Sequence, residues 1–293
     1  MLPCARRTCS ACTLTCKEGE LHSVEQHLRT TLTIEFRALL LAFLSVVVLF
    51  GLLLYLLPSA TSTFWAWNIA NPRSSILIGA VYVAASAYIL LILRENDWLQ
   101  VRNRLGAFIV FSLVLLVATA VHWETFKPYH PTTLAWLAFY YSAPLLVPLV
   151  SRLQIEPTGS AAITGLQIAR GWRAWLIARG IFYSLLALLI FVFADLISTI
   201  WPWSIDPLVL RVFTGQVAII GWDGFAALRG ELMWRGYRLG LVFVGSIGLL
   251  QLVGLLLGTT PYHWASVIGI ALPLMFLEWV MTPLLMFATL RRR

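Results

Sequence analysis

Residues 62–69 read Ser-Thr-Phe-Trp-Ala-Trp-Asn-Ile, and residues 198–205 read Ser-Thr-Ile-Trp-Pro-Trp-Ser-Ile. The common pattern is S-T-x-W-x-W-x-I, followed by Pro72 in the first case and Pro207 in the second. Shared leucines in two apolar segments prove little, but five polar, aromatic and branched residues in one register are hard to obtain by chance. Working outward, residues 36–69 align without gaps on 172–205, with Arg37 on Arg173 and Ala38 on Ala174. Gly79 then falls on Gly215, and E-x-x-W-x-x-x-R recurs as Glu95, Trp98, Arg102 and as Glu231, Trp234, Arg238. With small gaps, Arg104-Leu105-Gly106 matches Arg238-Leu239-Gly240, Pro128-Tyr129-His130 matches Pro261-Tyr262-His263, and Pro148-Leu149 matches Pro283-Leu284. After residue 35 the chain reads as a tandem duplication.

Each copy is apolar enough to live in lipid. The 293 residues are 60% hydrophobic and 12% charged, about half the charged share of a soluble domain. Apolar runs occur at 36–57, 74–93, 105–123, 132–150, 174–197, 207–228, 239–258 and 264–290. About 20 residues cross a bilayer core, and none of these runs shows the strict alternation of a barrel strand. The expected fold is an all-α polytopic membrane protein with eight transmembrane helices arranged as two four-helix repeats. Of the 21 Lys and Arg, all but Arg73, Lys127 and Arg211 fall on the side of the two termini, so the positive-inside rule places both ends in the cytoplasm. Four helices per copy give parallel repeats related by a pseudo-two-fold axis along the membrane normal. The net charge of +8 then lies beside anionic headgroups, and nucleic acid is not implied as a partner. The organisation is a cytoplasmic segment 1–35, repeats 36–152 and 172–290, a linker 153–171 with Pro157, Gly159, Ser160 and Gly165, and a basic tail 291–293.

The cysteines, Cys4, Cys9, Cys12 and Cys16, all precede the first apolar run. Their spacing superficially resembles a metal-ligand run, yet no glycine turn or histidine accompanies it, and no metal is expected there. The alternative concerns translation. Lys17-Glu18-Gly19-Glu20 can be encoded by codons that resemble a bacterial ribosome-binding site, with Val24 as a GTG start, which would leave residues 1–23 untranslated. A signal peptide is disfavoured, because 36–57 is longer than an ordinary h-region and has its own internal counterpart.

Three sets of residues are candidates for function. On the outer side stand Trp65, Trp67, Trp201 and Trp203, with Tyr129, His130, Tyr262 and His263. They form either an interfacial belt at headgroup depth, the bland reading, or an aromatic vestibule where both copies converge on a ligand. On the inner side, the two E-x-x-W-x-x-x-R turns are either Trp anchors beside arginines or docking knobs for a cytoplasmic subunit such as an ATPase. The third set breaks the symmetry of the repeat: Arg211, Gln216, Asp223, Gln251 and Glu278 lie in segments 6 to 8, where the first copy has Ser75, Ala80, Ala87, Val117 and Ala143. A charge deep in the bilayer costs roughly 2.5–3.5 kcal/mol on insertion scales and needs a partner. Arg211 is expected to pair with Asp195. If Asp223 and Glu278 met, one would hold a proton, the pattern of a proton-coupled site. His122, His130 and His263 raise the idea of haem or metal, but they sit at segment ends. Gly240, Gly245, Gly248, Gly254 and Gly258 favour close packing of segment 7, and Pro144, Pro148, Pro273 and Pro283 kink segments 4 and 8.

Phe64-Trp65-Ala66-Trp67-Asn68-Ile69, then Pro72 and Gly79-Ala80-Val81-Tyr82, resembles a pattern in uncharacterised bacterial multi-pass membrane proteins. The resemblance covers the outer loop and segment 2, implies a bacterial cytoplasmic membrane and carries no activity with it. There is no P-loop, G-x-S-x-G, H-E-x-x-H or loop D-x-x-D, so no cofactor is expected and an enzyme is disfavoured. The expected role is a transport-type component, a small permease or the membrane subunit of a larger transporter, acting in the bilayer alone, with a soluble subunit or as a homo-oligomer. The alternatives are a non-catalytic membrane scaffold and an intramembrane enzyme acting on lipid.

Overall fold

The computed structural model of the protein describes residues 31–154, 167–228 and 234–290. The four cysteines, Val24, Glu231, the basic tail and most of 153–171 lie outside them. The described chain is all-helical. Its long helices are α1 Ile34–Gly51, α2 Pro72–Glu95, α3 Leu105–Val121, α4 Pro131–Ser151, α5 Arg170–Val192, α6 Pro207–Leu228, α7 Trp234–Leu257 and α8 Val267–Leu290, with short helices Thr61–Phe64 and Ala194–Ile200 between them. Seven are long and apolar enough to span a membrane, so the protein is of the multi-pass membrane type. The exception is α3, which has 17 residues, about 26 Å at 1.5 Å per residue. Single 3₁₀ turns, Arg102–Arg104 and Trp123–Thr125, extend it at both ends.

Local chemistry explains the helix starts. Pro72, Pro131 and Pro207 each occupy the first helical position, where a missing N–H costs nothing. The residue before each proline caps the helix: Asn71 Oδ1 accepts from Arg73 N at 2.9 Å, His130 Nδ1 from Thr132 N at 3.3 Å, and Asp206 Oδ1 from Leu208 N at 2.7 Å. The run expected over 36–57 is not one α-helix: α1 gives way to a π-turn at Leu52–Leu56, whose Leu54 carbonyl accepts from Ser75 Oγ at 2.7 Å. The run expected over 174–197 also divides, because the helix breaks at Phe193 and restarts at Ala194. At the far end of α2, Asn96 adopts the left-handed conformation, φ 49°, which asparagine tolerates better than most residues.

The packing is pairwise. α1 lies on α2 as α5 lies on α6, and α3 lies on α4 as α7 lies on α8. Across the middle, α2 packs on α7, α3 packs on α6, and α2 touches α6. α1, α4, α5 and α8 turn leucines such as Leu41, Leu145, Leu185 and Leu274 outward, the expected lipid surface. α6 is buried on nearly every side, which is how a helix with Arg211, Gln216 and Asp223 can cross at all.

The closest approach is between α5 and α6. A Cβ placed on Gly180 would lie 2.3 Å from Gly224 Cα, and one on Gly224 would lie 2.5 Å from Gly180 Cα. Small residues at a crossing let two backbones touch, and here they bring the preceding residues, Arg179 and Asp223, together. Gly224→Leu should therefore lower the thermal unfolding midpoint of the detergent-solubilised protein, at an overpacking cost of about 1–3 kcal/mol. Gly171→Ala, whose Cβ would meet nothing within 4 Å, should leave the midpoint unchanged.

Candidate functional site

Four charged side chains form a ladder of alternating sign. Arg104, at the mouth of α3, donates from Nη1 to Asp223 Oδ1 on α6. Arg179 Nη1 on α5 stands 3.7 Å from Asp223 Oδ2, and its Nε donates to Glu278 Oε1 on α8 at 2.7 Å. Tyr183 Oη donates to Glu278 Oε2 at 2.8 Å, and Thr282 Oγ1 donates to Glu278 Oε1 at 2.7 Å. Asp223 is 1% exposed, while Glu278 is 25% exposed through its side chain, so the ladder is accessible at the glutamate end. Glu278 lies 12 residues from the end of α8, about 18 Å along the axis. The ladder therefore runs from the basic end of the bundle toward mid-membrane depth. The ring of Tyr237 on α7 covers the Arg104 guanidinium at 4.7 Å. Gly240 leaves space for that guanidinium, which a Cβ there would strike at 1.9 Å.

The two carboxylates expected to face each other do not; Arg179 stands between them. Two guanidiniums balance two carboxylates, yet Arg104 Nε and Nη2 and Arg179 Nη2 are buried with no hydrogen-bond partner among the described residues. Such donors are costly to leave unmet.

The remaining candidate polar residues fall into two further groups. Arg211 Nη2 donates to Asp195 Oδ2 at 2.6 Å, the expected pair, and its Nη1 donates to His122 Nε2 at 2.6 Å. Burial first, and then the Arg211 charge, holds His122 below its ordinary pKa of 6.5. The hydrogen bond from Arg211 lowers that of Asp195. At the central seam, Gln216 Nε2 and Gln251 Nε2 donate to the Leu77 carbonyl at 3.0 and 3.3 Å, and Gln251 also donates to Gln216 Oε1.

The aromatic residues do not converge on one vestibule. Trp65 and Trp67 are buried against Phe50, Phe126 and Trp136 in the first half. Trp201 and Trp203 are buried against Phe213 and Tyr262 in the second. They are core residues and not a headgroup belt, because the peptide between each pair is tied down: Ala66 O accepts from Lys127 N at 2.8 Å and Pro202 O from His263 N at 2.9 Å. A shallow cleft beside Trp201, Tyr262, His263 and Trp264 involves the second half alone. Tyr129 is fully exposed, and His130 is spent on capping α4 and on Thr63 O at 3.2 Å.

The inner turns engage each other. Glu95 of one motif accepts from Arg238 Nη2 of the other, Trp98 is buried edge-on against Phe36 at 5.4 Å, and Trp234 packs on Phe287 at 4.8 Å. Arg102 is half-buried, and Glu231 lies outside the described residues. Among the described residues no group of three or more His, Cys, Asp or Glu is placed to hold a metal.

Sequence reasoning missed Arg104, Arg179, Tyr183 and Tyr237. The signal for two of them was present: in the gap-free alignment Arg179 and Tyr183 fall on Phe43 and Val47, the same apolar-to-polar asymmetry that marked Asp223.

Two predictions follow from this geometry. Asp223→Leu leaves the buried Arg104 guanidinium unbalanced and should cost about 3–5 kcal/mol, whereas the double variant Arg104→Met with Asp223→Leu should cost less than either single change. Unfolding in graded SDS measures both. At the other end, a neutral His122 accepts from Arg211. Because its folded pKa is lowered, the unfolded chain binds protons more readily, and stability falls as pH drops through 6.5. The wild-type melting temperature should decrease from pH 7.5 to 5.5, with a flatter profile in His122→Gln. Compared with known protein families, curated proteins and solved structures, the chain matches none.

Proposed function

We propose that the protein is a transport-type component of a bacterial cytoplasmic membrane, a small permease or the membrane subunit of a larger transporter. In this reading eight spanning helices form two parallel four-helix units, with both ends in the cytoplasm. The helix pairing supports the pseudo-two-fold: exchanging α1–α4 with α5–α8 maps α1·α2 onto α5·α6, α3·α4 onto α7·α8, and α2·α7 onto α6·α3. Such an axis passes between α2 and α6, and repeat interfaces of this kind are where transporters build their sites.

One observation carries the functional reading. The ladder Arg104, Asp223, Arg179 and Glu278 takes three of its four members from the second half and one from the first, is buried, and is open at a carboxylate. Ionisable residues inside a membrane bundle mark substrate or proton pathways. Glu278 is the group that exchanges a proton or meets substrate; Arg179 relays its charge state to Asp223, and Arg104 to the first half. The charge balance of the ladder favours a second reading, a scaffold in which the ion pairs only lock helices together.

Proteoliposomes on a solid-supported membrane, challenged with metabolites and lipophilic anions across a range of pH, separate the two. A solute-evoked current should fall at least tenfold in Glu278→Gln while the protein stays folded. The transport reading is abandoned if Glu278→Gln and a four-residue apolar replacement of the ladder both keep every wild-type response.

A further inference from the structure

Each half ties its W-x-W turn with one backbone bond, and the two bonds set a register between the halves. Lys127 N donates to Ala66 O in the first half and His263 N donates to Pro202 O in the second, so His263 stands where Lys127 stands. By the same spacing Ser266 stands where His130 stands, and each caps a helix: His130 Nδ1 accepts from Thr132 N in α4, and Ser266 Oγ from Gly269 N at 3.0 Å in α8. The Pro-Tyr-His match in the sequence is three residues out of this register.

In the first half both side chains serve carbonyls. Lys127 Nζ donates to Ser62 O at 2.6 Å and to Trp65 O at 3.1 Å, and His130 Nε2 bonds Thr63 O at 3.2 Å. The last carbonyls of a helix have no donor within it, and a lysine or histidine can supply one. The corresponding carbonyls of the second half belong to Ser198, Thr199 and Trp201. Ser198 O would normally accept from the backbone four residues on, but position 202 is a proline and has no N–H. Among the described residues no donor beyond the short helix reaches any of the three.

Histidine is shorter than lysine, and serine is shorter than histidine. Where the first half is filled by the two longer side chains, the second half has a cleft of about 580 Å³ whose walls include Thr199, Trp201, Tyr262, His263, Trp264 and Ser266. Small-molecule sites run from about 300 to 1,000 Å³. Arg73 approaches the Tyr262 ring, but its donors are spent on carbonyls at the end of α7.

We propose that this cleft binds a primary ammonium group, which takes the place that Lys127 Nζ holds in the first half and donates to the carbonyls of Ser198, Thr199 and Trp201. An ammonium carries three donors and no acceptor, which matches three carbonyl oxygens. The exposed Trp264 would stack equally on a quaternary ammonium, but that group has no N–H to give, so the carbonyls select against it. The ammonium is supplied by the head group of an ethanolamine phospholipid or by a free alkylamine. The site stands apart from the ladder, and binding without flux would leave it standing.

The test follows the thermal unfolding midpoint of the full chain in phosphatidylcholine nanodiscs. Replacing part of the lipid with phosphatidylethanolamine, or adding butylamine or phosphoethanolamine to the buffer, should raise the midpoint by a few degrees, as a ligand of the folded state does. A response to the lipid alone identifies a head-group site, and a response to the soluble amines identifies a site for free amine. Phosphocholine and tetramethylammonium should have no effect. His263→Lys supplies the ammonium from within the chain, so it should melt higher than wild type without ligand and stop responding to amines. Ser266→His restores the second donor and should reduce the response. An equal response to the quaternary compounds, a full response in His263→Lys, or no response of the wild type to any primary amine would each overturn the proposal.

Discussion

Asp223 is held between two guanidiniums that come from opposite halves of the chain, Arg104 ahead of α3 and Arg179 on α5. Taking such ions out of water costs several kcal/mol each, and only good geometry with further hydrogen bonds offsets it. Much of the interior is arranged to supply that geometry. The glycine contact at 180 and 224 sets α5 against α6 closely enough for Arg179 to reach Asp223. Gly240 gives Arg104 its place, and Tyr237 covers its face. Glu278, fixed by Tyr183 and Thr282, neutralises the second arginine. Remove any of these and a full charge is left in a poorly solvating interior, where it costs far more than in water.

The two halves are joined at the opposite end by arginines as well. Arg73, near the start of α2, donates to the carbonyls of Leu255, Gly258 and Thr260 at 2.6, 2.6 and 2.9 Å, capping the end of α7. The last carbonyls of a helix have no partner within it, and they attract cations. Arg211, near the start of α6, reaches His122 just past the end of α3. So each half sends one arginine to the end of the other half's third helix, from positions two residues apart in the alignment. These were two of the three basic residues that broke the positive-inside pattern, and a local task accounts for both of them.

The helices were legible because hydrocarbon thickness imposes a length on apolar runs. The break at Phe193 was not, since neither Gly nor Pro marks it, and the π-turn after Gly51 was not, because one glycine inside an apolar run is compatible with a continuous helix. The W-x-W motifs pointed to the right segments with the wrong surroundings. Trp is read as interfacial by its average behaviour, whereas here each pair is drawn inward by a hydrogen-bonded turn that only tertiary contacts create. Arg104 and Arg179 were hidden by the orientation rule itself, which counts every basic residue near a segment end as a flank. Arg179 stands nine residues past the start of α5, about 13 Å in, and its partner on α6 is 44 positions away.

The first half shows what the ladder is not needed for. Where Arg179 bonds Glu278 at 2.7 Å across α5 and α8, the first half packs Phe43 against Phe139 at 4.9 Å across α1 and α4. The same helix pairing is therefore achieved with apolar side chains alone. Exchanging a buried ion pair for well-packed hydrophobic residues is often neutral or stabilising, and each intramembrane charge adds roughly 2.5–3.5 kcal/mol to the cost of insertion. The two halves, paired alike, thus differ by a feature that the pairing does without and that membrane insertion penalises. A purely structural role leaves that expense unexplained; a role for the charges themselves, in binding or in moving a proton, does not.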